Sequence, residues 1–99
     1  MDISSHYIYV AYSVTIDRYY VGETDNIERR LTEHNTHISK GAFTTRASDW
    51  KILIYELVPN RVHARKIELF IKKQKSRRFI QSFIDSAEIR KSIISKFMN

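Results

Sequence analysis

The sequence predicts a small α+β domain, a three-stranded mixed sheet flanked by helices. Two aromatic and β-branched runs lie close together near the start, and an apolar run follows at "WKILIYELV" (50–58). Beyond Pro59 the apolar residues recur at helical spacing. With 99 residues, 42% of them hydrophobic, only two glycines and one proline, the chain supports one modest core and shows no linker or repeat. One domain over 1–99 is the expectation.

"HYIYVAYS" (6–13) reads as the first strand and "DRYYVG" (17–22) as the second, ended by Gly22. A hairpin turning around 13–16 would set Tyr9 opposite Tyr20 and Tyr12 opposite Asp17, so that both hydroxyls of the first pair project from one face. Pairing alone favours two core tyrosines with hydroxyls at the rim. A helix is predicted at "TDNIERRLTEHN", with Asp25 as N-cap and Glu28 closing a capping box. Ile27 and Leu31 form its apolar pair. At about 100° per residue, Arg30 and His34 fall beside that pair while Arg29 points to solvent. "HISKGAFTTRASD" (37–49) has no periodicity and reads as a long loop, a kind of segment that often carries function. The third strand reads as buried on both faces. After Pro59-Asn60, a helix follows with Val62, Ile67, Leu69, Phe70 and Ile71 as its apolar arc. Glu68 lies at the edge of that arc between Arg65 and Lys72. One or two more helices run through Phe79, Ile80, Phe83, Ile84, Ile89, Ile93 and Phe97.

Seventeen Lys and Arg against eleven Asp and Glu give a formal charge of +6, which points to a polyanionic partner. The basic residues crowd 61–78, a better electrostatic footprint than a diffuse excess. The absence of cysteine excludes disulfides, thiolate metal sites and cysteine nucleophiles. No apolar stretch approaches the roughly 20 residues of a membrane span. "MDISSH" is not the start of a signal peptide, so a cytoplasmic location without membrane contact is expected.

Several of these residues together resemble the GIY-YIG nuclease domain. Tyr7-Ile8-Tyr9 is similar to its first half-motif, with tyrosine in place of the first glycine, and Tyr20-Val21-Gly22 is similar to the second, eleven residues on. Arg30 stands ten residues beyond Tyr20, where the family carries an arginine. "KGAFTTR" followed by "WKILIYE" resembles its small, excision-repair-like branch. The resemblance covers about 6–78 and leaves 79–99 as a helical extension.

It implies a metal-dependent endonuclease that hydrolyses DNA phosphodiesters, selective for branched, flapped or damaged DNA in repair or recombination. RNA remains open as a substrate, and a targeting protein is an implied partner. It further implies that Glu68 holds one divalent cation, Mg²⁺ or Mn²⁺, and that Arg30 braces the scissile phosphate. Tyr9 and Tyr20 would position or deprotonate the attacking water, with His34 as an auxiliary group. Lys40, Thr44, Thr45, Arg46, Lys72 and Lys75 are the expected nucleic-acid contacts, since hydroxyls and cations suit phosphate. Glu23 follows Gly22 where the family often has lysine, and either repels phosphate or helps to hold the cation. The alternative is a nucleic-acid-binding module that keeps the fold without turnover. Glu68 four residues before Lys72 is also the spacing of an ordinary helix ion pair.

Overall fold

The aromatic run at the start of the chain forms β1 (His6–Ser13), and it becomes the central strand of the sheet. The computed structural model describes residues 6–36 and 46–98. Ile8, Tyr9, Val10 and Ala11 are all fully buried because β1 is paired on both edges and covered on both faces. β2 (Arg18–Thr24) lies on one side and β3 (Lys51–Val58) on the other. Both pairs are antiparallel, so the sheet is not mixed as the sequence predicts.

The hairpin register differs from the expected one by two residues. Tyr9 lies opposite Gly22 and Ala11 opposite Tyr20, with Ser13 opposite Arg18 closing a four-residue loop over 14–17. Asp17 supplies the left-handed position of this loop, at φ 51°. Its carboxylate accepts from Tyr12 Oη at 2.5 Å and from Arg77 at 2.6 Å, which holds the loop open by two more residues than a tight turn. A shift of one residue would reverse the faces, whereas a shift of two preserves them. Tyr9 and Tyr20 therefore still share a face, as expected.

β3 is an outer strand, not one buried on both sides. Its residues alternate between exposed and half-buried from Lys51 to Leu57, and only Val58 at its end is buried. Its apolar composition misleads because β1 occupies the centre. A bulge interrupts the β1–β3 ladder: Val10 faces Ile54 and Ala11 faces Ile52, which leaves Leu53 as the extra residue.

α1 (Ile27–Thr36) covers one face of the sheet, where Ile27 and Leu31 pack with Tyr9, Ala11, Ala47 and Trp50. Its N-cap is Asn26, not Asp25. Asn26 Oδ1 accepts from the Arg29 amide at 2.9 Å, while Asp25 turns outward to pair with the Arg29 guanidinium. Thr24 Oγ1 accepts from the Asn26 amide at 3.1 Å and moves the start of the helix on by one residue. α2 (Arg61–Lys73) covers the other face, burying Ala64, Ile67 and Ile71 against Ile8, Val10, Val21 and Val58. Val62 and Leu69, predicted to lie within the apolar arc, are instead exposed, and Ala64 takes the close-packed position. α3 (Arg77–Asp85) and α4 (Ala87–Lys96) extend this core through Phe83 and Ile93. Asn60, Ser76 and Ser86 cap α2, α3 and α4 by accepting from the backbone amides of His63, Phe79 and Ile89. Arg90 ties α4 to the sheet through Glu56 at 2.8 Å and donates to the final carbonyls of α3.

Candidate functional site

Alternation along β1 and β2 sends Tyr9, Tyr20 and Gly22 toward α1, and helical spacing brings Arg30 and His34 down on them. Gly22 is what lets the two tyrosines fold across β2. A Cβ at that position would stand 2.6 Å from Tyr9 Oη and 2.8 Å from the Tyr20 ring. Tyr9 and His34 are both completely buried, with Tyr9 Oη 2.6 Å from His34 Nε2. Burial, then the positive charge of Arg30, lowers the pKa of His34 to about 4, so its imidazole is neutral near pH 7. Burial and the neighbouring Tyr20 raise the pKa of Tyr9 and keep it a phenol.

The direction of the hydrogen bonds follows from the chemistry of the donors. Arg30 also bonds the Tyr9 hydroxyl, and a guanidinium only donates. The Tyr9 oxygen accepts from Arg30 and shares a second hydrogen bond with the neutral imidazole of His34. Arg30 is half-buried and donates to Glu33 Oε1 at 3.0 Å. Burial opposes its charge, but Glu33 and the oxygens of Tyr9 and Tyr20 outweigh that and raise its pKa above the ordinary value. Arg30 is thus a fixed cation with a set orientation, whereas Arg29 is exposed and spans Asp25 and Glu33, as a surface charge does.

Tyr20 is only partly covered. Its ring packs edge-on to His34 at 4.9 Å and to Trp50 at 6.3 Å, and Lys72 Nζ lies 5.5 Å from its centroid. Lys72 belongs to α2 on the opposite face, so the cluster straddles the outer edge of β2. Glu68 reaches the same edge with its side chain 13% exposed, and its carboxylate accepts from Lys72 at 2.5 Å. The negative charge of Glu68 is felt at Tyr9.

Tyr9, Tyr20, Arg30, His34 and Glu68 are therefore brought together. Lys72 and Lys75 are exposed beside them, lining a groove of about 330 Å³ between β2 and the α2–α3 junction. Arg46 is exposed, and Lys40, Thr44 and Thr45 lie outside the described residues. Arg77 is engaged by the Asp17 carboxylate and carbonyl and by the Tyr19 ring. Glu23 projects to the α2 face, where it contacts His6 and lies 3.5 Å from Arg61. Glu23 and Arg30 nevertheless line one cavity of about 280 Å³, together with His6, Glu33 and Arg61.

Two supporting residues went unread in the sequence. The Asn35 side chain donates to the Trp50 carbonyl at 3.0 Å and accepts from the Trp50 amide at 2.7 Å. It fastens the end of α1 to the start of β3 and sets the Trp50 indole against Tyr20 and His34. Asn35 adjoins His34, but its partner lies across the long loop, and no local pattern signals that pairing.

No group of three or more potential metal-ligating side chains occurs among the described residues. Among the described residues the carboxylate beside Tyr20 at this edge is that of Glu68, and the ammonium of Lys72 already stands against it as a cation. That suits a hard divalent ion, which binds through few protein oxygens and keeps much of its water.

A model of the GIY-YIG catalytic domain matches residues 5–81. No curated protein and no solved structure matches significantly.

Proposed function

Because this chain belongs to the GIY-YIG catalytic domain family, we propose that it is an endonuclease that hydrolyses phosphodiester bonds in DNA. The observation that carries this reading is the convergence of Tyr20, Arg30 and Glu68 on the open edge of β2, from three separate elements.

Hydrolysis of a phosphodiester needs a positioned water and stabilisation of the charge that builds on the phosphoryl oxygens. Arg30 supplies a cation that is already oriented, so little reorganisation accompanies substrate binding. Tyr20 is the motif tyrosine that reaches solvent, and it places the attacking water by its hydroxyl. Tyr9 is sealed from solvent and acts as a positioning residue. Its oxygen, bonded to His34, helps to hold the Arg30 guanidinium in place. Glu68 would hold one Mg²⁺ or Mn²⁺, which supplies Lewis-acid stabilisation of the phosphate when bound. Lys72 and Lys75 guide the flanking backbone, together with Arg46 and the loop residues Lys40, Thr44 and Thr45. We infer a structure-selective role on branched, flapped or damaged DNA in repair or recombination in the cytoplasm, with a partner protein for targeting.

The test is cleavage of supercoiled plasmid and branched oligonucleotides of DNA and RNA with Mg²⁺, Mn²⁺ or EDTA, beside Glu68→Ala and Arg30→Ala. Metal-dependent cutting that both folded variants lose supports the nuclease. Salt-dependent binding with no cutting on any substrate replaces it with a binding module.

A further inference from the structure

The sheet face that carries Tyr9 continues beyond the start of α1, and there, among the described residues, no element covers it. Tyr7 and Tyr55 stand edge to face, their ring centroids 5.7 Å apart and their planes at 83°. With the first residues of α1 they line a cavity of about 480 Å³. The register places Tyr55 opposite Tyr9 and Leu57 opposite Tyr7, so all four project from this face.

Leu53, Tyr55 and Leu57 are 45%, 55% and 59% exposed. They belong to an outer strand of eight residues, and among the described residues no strand pairs with its free edge. Such an edge is a template for another strand. The rim of the cavity is acidic, with Asp25 and Glu28, on a chain whose formal charge is +6. Glu28 forms no ion pair among the described residues. Asp25 is paired with Arg29, so the charge that the rim offers to a cation is the carboxylate of Glu28, which is ill suited to phosphate.

We propose that the free edge of β3 and the Tyr7–Tyr55 corner dock an extended basic segment of a partner protein. The segment adds a strand to the sheet through main-chain hydrogen bonds. One of its arginine or lysine side chains lies against the two rings, beside the Glu28 carboxylate. A second copy of this chain fits the same edge less well. Two β3 strands paired about a two-fold axis would form one continuous sheet with both acidic rims on the same face, like charge toward like. The proposal does not rest on the nuclease reading, since none of these residues belongs to the site at the β2 edge.

The test uses the isotopically labelled chain and two probe peptides, one of alternating valine and arginine, the other of alternating valine and glutamate. The expected result is amide shifts along β3, at Tyr7 and at the start of α1 with the arginine peptide alone. Glu28→Lys and Tyr55→Ser should each weaken binding about tenfold while the remaining spectrum stays that of the folded protein. Absence of shifts with the arginine peptide overturns the proposal, as do equal shifts with both peptides. Sedimentation of the chain alone provides the other arm: a concentration-dependent dimer that Tyr55→Ser abolishes would assign the edge to self-pairing instead.

Discussion

His34 links the site to the stability of the whole fold. Its imidazole stays neutral in the folded protein down to about pH 4, whereas an unfolded chain takes up that proton near 6.5. Between these values the unfolded state binds more protons, so stability is fully present above about 6.5 and falls as the pH drops toward 4. The expected loss is on the order of 3 kcal/mol, from roughly 1.4 kcal/mol for each unit. Urea unfolding at pH 7 and pH 4.5 measures it, and the slope should flatten in His34→Gln. At neutral pH His34→Ala takes from the buried Tyr9 hydroxyl one hydrogen-bond partner and should cost about 1–3 kcal/mol. Gly22→Ala acts on the same group of residues by volume. The added methyl meets the Tyr9 hydroxyl and the Tyr20 ring, and both must move together because His34 holds the first. We expect about 1–3 kcal/mol of destabilisation, read as a lowered Tm, with cleavage falling further than stability explains.

Among elements, the pairing of α2 with the β2 edge is the most informative. Lys72 stands against Glu68 where a divalent ion would bind, so Lys72→Met should tighten Mn²⁺ binding by roughly 2–5-fold, as expected for removal of a partly exposed ion pair. Calorimetry without DNA reads this directly. Arg77 joins α3 to the hairpin loop, and Arg77→Ala should speed amide exchange over 14–17 while sparing β1. The strands and helices were legible because their patterns are local: the β-branched runs mark β1 and β3, and Ile27 with Leu31 marks α1. Arg30 separates from Arg29 by helical angle alone. What the sequence hid were the non-local decisions. β3 has the composition of a central strand, and only the pairing order makes it an outer one. The Arg77–Asp17 contact that accompanies the observed register joins residues sixty apart. The shift of the cap from Asp25 to Asn26 turned on one Thr24 hydroxyl.

At the scale of the molecule, charge and shape divide the surface. Lys72 and Lys75 flank the site at the β2 edge of a chain with formal charge +6, while Glu28 lies at the corner formed with Tyr7 and Tyr55 of β1 and β3. DNA affinity should therefore fall steeply with salt. Lys75→Ala should reduce the log–log slope by about 1, with little effect on Mn²⁺ affinity. Filter binding across a salt series gives that slope.

The straddling of the β2 edge has a consequence for synthesis of the chain. Tyr9, Tyr20 and Arg30 emerge from the ribosome first, but Glu68 joins them only when α2 has docked on the far face of the completed sheet. A nascent chain that ends before α2 holds the cationic half of the site without its carboxylate. On the proposed reading such a chain would lack the group that holds the cation, so that cleavage would become possible only with the closing of the core.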